Sequence, residues 1–120
     1  MDIRISVGNT ILDAELFDSD LAREISALLP LEAGVNRWGQ EIYFGIPLDF
    51  QLREPREVVE IGNLAYWPPG QGFCIFWGPT PASRGAEVRP ASEVEVFGRV
   101  KGDATVLDSE PAGKVRIERI

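Results

Sequence analysis

The sequence predicts a mainly β protein, a closed eight-stranded antiparallel β-barrel with one main helix. Three observations predict it. Segments near both ends of the chain alternate apolar and polar residues with a period of two, and only one stretch shows helical periodicity. The middle of the chain, from Gly62 to Pro81, carries two apolar, aromatic-rich runs separated by Pro68-Pro69-Gly70-Gln71-Gly72. Neither a helix nor a central strand accommodates that interruption, because proline lacks the amide donor and glycine favours positive φ. Leu64 to Trp67 and Phe73 to Trp77 therefore read as two buried strands joined by a rigid turn.

Taken in order, Ile3, Ile5 and Val7 alternate with Arg4 and Ser6, which predicts a strand over 3–7. Gly8-Asn9 matches a two-residue hairpin turn with glycine at its first central position. A second strand follows over 10–17, with Leu12, Ala14 and Leu16 facing inward. At Asp18-Ser19-Asp20 the period changes. Leu21, Ile25, Leu28 and Leu29 share one helical face behind good N-cap residues, which predicts a helix over 20–29 that Pro30 ends. Val35 to Gln40 reads as a strand or edge segment, and a strand over 41–46 follows it. Gln51 to Glu60 is a charged surface crossing that becomes extended at Val58-Val59. The central strands occupy 63–67 and 73–77. Gly78 to Ser92 contains Pro79, Pro81, Gly85 and Pro90 without periodicity, and an irregular connection of that length points to a binding surface or a mobile loop. Strands over 94–100 and 114–120 complete the barrel, with a short helical turn expected at Ala104 to Leu107.

Composition bounds the function. The 120 residues form one domain, 1–120, of which 44% are apolar, enough for one core. Nineteen acidic against twelve basic residues, and no histidine, give a net charge of −7. Phosphate backbones and anionic lipids are repelled by that balance, so neither nucleic acid nor membrane is expected as a partner. A single cysteine excludes an internal disulfide and fits a reducing compartment. Met1-Asp2-Ile3-Arg4 has no signal-peptide pattern and no apolar run approaches a membrane span, so a cytoplasmic location is expected.

Several motifs together resemble a known family. Val35-Asn36-Arg37-Trp38-Gly39-Gln40-Glu41-Ile42-Tyr43-Phe44, then Pro55 to Gly62, Tyr66-Trp67-Pro68-Pro69-Gly70, Pro90-Ala91-Ser92 and Val96-Phe97-Gly98-Arg99-Val100 look like the small prokaryotic cyclophilin-like proteins. These are compact relatives, by fold, of the cyclophilin prolyl isomerases. The resemblance implies a cyclophilin-like barrel and leaves the activity open. The isomerase site of true cyclophilins lies on the outer barrel wall and needs an arginine, and aligning Pro47 with the family proline puts Phe44 in its place. A benzyl ring cannot donate to the twisting prolyl amide as a guanidinium does. The loop tryptophan and the histidine of that site have no counterpart in Gly78 to Ser92. Arg37, from a neighbouring segment, is the residue that keeps an unconventional isomerase open.

Other chemistry is sparse. Cys74 lacks any adjacent histidine or cation to activate it and reads as a small buried hydrophobe. Gly70-Gln71-Gly72 lacks the lysine and the strand-to-helix setting of a phosphate loop. Glu54, Glu57 and Glu60 are irregularly spaced in a solvated segment, so no metal site and no cofactor are expected. Arg37 with Glu41 reads as a surface ion pair.

The aromatics supply the candidate site. Most of Trp38, Tyr43, Phe44, Tyr66, Trp67, Phe73, Phe76 and Trp77 belong in a core, and strand parity divides them: Phe73, Ile75 and Trp77 on one face, Cys74 and Phe76 on the other. With the bulkier set inside, Cys74 and Phe76 line the outer wall, where the family resemblance also puts Phe44 and Trp67; Arg37, reaching the wall from a neighbouring segment, and Tyr43 complete the expected ligand-binding set. An apolar groove of this kind favours ligand capture over acid–base catalysis. Three readings follow: a module binding a small apolar or peptide ligand, an atypical prolyl isomerase, and an interaction protein that buries the groove in a homo-oligomer.

Overall fold

The computed structural model describes residues 1–111 and 113–120. Among the described residues nine strands and one α-helix follow in chain order: β1 (Asp2–Val7), β2 (Thr10–Leu16), α1 (Asp20–Ala27), β3 (Leu31–Gly34), β4 (Asn36–Arg37), β5 (Glu41–Gly45), β6 (Asn63–Trp67), β7 (Gly72–Phe76), β8 (Glu95–Val100) and β9 (Lys114–Arg119). All pairings are antiparallel, in the order β3-β9-β1-β2-β8-β6-β7-β5-β4. The sheet curls until β3 meets β5, which nearly closes the barrel.

The period-two segments form strands because alternate side chains reach a common interior. Ile3, Ile5 and Val7 of β1 face inward with Leu12, Ala14 and Leu16 of β2 and with Val115 and Ile117 of β9. Gly8 turns the first hairpin at φ +56°, the conformation expected of the first central position, and Val7 pairs with Thr10 across it. The helix α1 lies against this core through Leu21, Ala22 and Ile25, and Ser19 caps it by accepting a 3.2 Å bond from the Ala22 N–H. It ends at Ala27, two residues short of the predicted 29. The Leu28 N–H already turns back to the Ile25 carbonyl, because Pro30 cannot continue the helix.

One strand was not legible from the chain. β3 has only four residues and a weak alternation, and its pairing of Leu31 with Ile117 and Ala33 with Val115 is what makes it a strand. A 3₁₀ helix, Ala104–Ser109, stands where a helical turn was expected, burying Ala104 and Leu107. Asp103 caps it through the Thr105 N–H at 3.0 Å.

The connection 78–94 folds onto the outside of the barrel. Val59 donates to the Val88 carbonyl at 2.9 Å and Arg56 to that of Val94 at 2.7 Å, pinning it at two points. Beneath it Val59, Ala65, Cys74, Phe76, Val88 and Val94 make a second apolar cluster, separate from the barrel interior. Among the described residues no helix is long and apolar enough to cross a membrane.

Candidate functional site

Strand parity separates the two clusters. On β7, Phe73 and Ile75 point into the barrel, as does Trp77 just beyond the strand, whereas Cys74 and Phe76 point outward. Cys74 stands between Tyr43 of β5 and Ala65 of β6 in register. Glu41 and Tyr43 share the outer face of β5, and Ala65 and Trp67 that of β6. Phe44, one residue on from Tyr43, therefore points the other way. Its ring stacks on Phe73 inside the barrel, centroids 4.9 Å apart, and is 1% exposed. The expected place of Phe44 on the outer wall is thus corrected, because adjacent strand residues cannot share a face.

A pocket of about 230 Å³ opens on this outer face. Its walls are Trp38, Tyr43 and Trp67; Cys74 and Glu41 form its floor, and Pro90, Ala91 and Val94 of the covering connection complete it. Tyr43 meets Trp67 edge to face, centroids 6.4 Å apart at 68°. The Trp67 indole N–H donates to the Ser92 hydroxyl at 2.7 Å. Gly70 makes room for the indole, since a Cβ there would stand 2.7 Å from Trp67 Cζ3. Phe76, also on the outer parity, is fully buried beneath the connection and does not reach the opening.

Glu41 is the polar group of the site. It is 5% exposed, and its Oε1 has no hydrogen-bond partner among the described residues. Burial pushes its carboxyl up to about 7, an effect only partly opposed by a hydrogen bond from the Cys74 thiol. Cys74 is itself driven well above its ordinary value, first by burial and then by the neighbouring Glu41. Its sulfur is thus a neutral part of the floor and no thiolate nucleophile.

Arg37 lies elsewhere, and the expected Arg37–Glu41 ion pair does not form. The Arg37 guanidinium donates to the Asp108 carboxylate at 2.7 Å and to the Gly39 and Asp108 carbonyls at 2.9 and 2.8 Å. It also covers the Trp77 ring at 5.2 Å. Trp77 Nε1 and Gln40 Nε2 converge on the same Asp108 oxygen at 3.1 and 3.2 Å. This cluster clasps the β4–β5 turn to the 3₁₀ helix. Among the described residues no group of three or more His, Cys, Asp or Glu side chains is placed to hold a metal.

Of the residues singled out from the sequence, Tyr43, Trp67 and Cys74 come together at the pocket, while Phe44, Phe76 and Arg37 do not line it. Sequence reasoning missed Trp38 and Glu41. A signal for Glu41 was present: it shares the parity of Tyr43, so once Tyr43 faces outward Glu41 must too. Its burial comes from the connection, which no periodicity announces.

The model of the cyclophilin-like family matches residues 1–118. The solution structure of the hypothetical protein AF2241 from Archaeoglobus fulgidus is similar at 36% identity and a TM-score of 0.82, over 100% of this chain and 95% of that one. The structure of McbB in complex with tryptophan is similar in fold alone, at 16% identity and a TM-score of 0.72, over 98% of this chain and 44% of that one. No curated protein matches the chain.

Proposed function

The chain belongs to the cyclophilin-like family, and from that premise we propose that it is a binding domain whose outer-wall pocket takes a small, largely apolar ligand or an apolar side chain of a peptide. The observation that carries this reading is the pocket of about 230 Å³ walled by Trp38, Tyr43 and Trp67. Three aromatic side chains half open to solvent around a concavity leave apolar area that an occupant would cover. The volume suits a ligand of one or two rings.

Binding is better supported than prolyl isomerisation. Among the described residues lining the pocket there is no lysine or arginine, so nothing there donates a charge-assisted hydrogen bond to a twisting amide. The guanidinium nearest in sequence, Arg37, is committed to Asp108. The free cysteine agrees with the cytoplasmic location we propose with this function.

Calorimetric titration with 2-phenylethanol and with short proline peptides tests the reading on the wild type and on Trp67→Ala. At least one probe should bind the wild type, and the variant should weaken it by ~1–3 kcal/mol. Equal affinity in both proteins, or occupancy of the same face by a second copy of the chain, overturns it.

A further inference from the structure

Glu41 is a buried carboxyl in an otherwise largely apolar pocket. Among the described residues its Oε1 has no partner, and the ordinary candidate to neutralise it, Arg37, pairs with Asp108 instead. Among the described residues no lysine or arginine lines the pocket. Its titratable neighbours there are Tyr43 on the same strand and Cys74 from β7, and neither brings a positive charge. A buried carboxylate in this position weakens the free protein; protonation relieves the penalty, and so does an occupant that satisfies Oε1.

Resting on the pocket reading above, we propose that the ligand is a small organic ammonium whose N–H donates to Glu41 Oε1 while its apolar body packs among Trp38, Tyr43 and Trp67. Three features of the pocket select this class. A desolvated carboxylate is best compensated by an opposite charge that also donates to it. Aromatic faces attract a cation through the ring quadrupole, and three of them surround the cavity. Anions meet Glu41 directly, within a protein of net charge −7.

The arrangement has a pH signature. Free Glu41 titrates at about 7, and an ammonium recruits its ionised form. Cys74 stays neutral across this range because burial holds its thiol well up. Amine binding therefore displaces a proton from Glu41 below neutrality and strengthens as the pH rises through it.

The test is calorimetry on the full chain with phenethylamine, 2-phenylethanol and phenylacetate, three probes of one aromatic body and different heads. Phenethylamine should bind about tenfold more tightly at about pH 8 than at about pH 6, whereas 2-phenylethanol should change less than about twofold. Glu41→Gln should lower phenethylamine affinity at the higher pH by about tenfold or more, to the level of 2-phenylethanol, without weakening the alcohol. If that variant does not fold, the wild-type pH dependence alone decides. The ammonium is wrong, and the pocket reading survives, if the alcohol or the acid binds as tightly as the amine and Trp67→Ala still weakens them. If none of the three binds and Trp67→Ala changes nothing, the pocket reading falls and takes this inference with it.

Discussion

The indole N–H of Trp67 donates to the Ser92 hydroxyl across 2.7 Å, joining the outer face of the barrel to the connection that covers it. One wall of the pocket is thereby held from both sides, by β6 through its backbone and by the connection through its hydroxyl. On the proposed function, probe affinity should respond to this bond more than fold stability does. Ser92→Ala removes one exposed hydrogen bond, worth ~1 kcal/mol at most, and should loosen the ring without unfolding the barrel. Melting curves with probe titrations on the same variant separate the two effects.

Trp67 and Trp77 should behave differently when truncated. Trp77 is 2% exposed and donates to Asp108, so Trp77→Ala should cost about 3–5 kcal/mol of stability. Trp67 is half-buried outside the barrel, and its loss should cost clearly less. Equal drops in melting temperature would place both rings in the core.

Glu41 gives a stability profile of defined sign. Its carboxyl is raised in the folded protein from 4.5 to about 7, so the folded state holds the proton more tightly than the unfolded chain does. Stability is therefore greatest below the unfolded value and declines as pH rises through the window from 4.5 to about 7, by on the order of 3 kcal/mol. Glu41→Gln should remove this slope. Urea titrations at about pH 5 and about pH 8 should show the variant gaining on the wild type by roughly 2 kcal/mol between the two; a constant difference would mean that the carboxyl is solvated.

Two glycines near equivalent close contacts should tolerate alanine unequally. At Gly70 the added Cβ meets the Trp67 ring, 2.7 Å from Cζ3 and 3.0 Å from Cε3, and a side chain can rotate away. At Gly98 the Cβ would lie 2.5 Å from the Glu15 carbonyl oxygen, a backbone atom fixed by the pairing of β2 with β8. Gly70→Ala should alter probe affinity while costing ~1 kcal/mol or less, and Gly98→Ala should cost about 3 kcal/mol or more. Thermal melts of both proteins check the order.

The Asp108 clasp predicts a third contrast. Asp108→Ala leaves the Trp77 N–H without its acceptor and should lower the melting temperature more than Arg37→Ala does. Arg37→Ala breaks an exposed ion pair and should cost less than ~1 kcal/mol. Neither should change probe affinity, because Arg37 and Asp108 do not line the pocket; a titration in which Arg37→Ala abolishes binding would return Arg37 to the site.

The chain alone determined the barrel, because its causes are local. Alternation in Ile3-Arg4-Ile5-Ser6-Val7 and in Val115-Arg116-Ile117, the proline and glycine turn at Pro68 to Gly72 and the capped apolar face of Leu21 and Ile25 act over a few residues, so they are written where they act. Parity along Phe73 to Trp77 likewise put Cys74 and Phe76 on the outer face, as found. Only the tertiary structure decided which side chains stand around the pocket on that face. Tyr43 and Phe44 both looked suitable for the wall, and the register of β5 against β7 chose Tyr43 and with it Glu41. Exposure was then set by the connection 78–94, which covers Phe76 and leaves the rims of Tyr43 and Trp67 open. That connection is held by bonds from Arg56 and Val59, distant in sequence and without periodicity. Burial of Glu41 depends on where such an irregular segment lands, and a long-range contact of that kind leaves no mark in the spacing of residues along the chain.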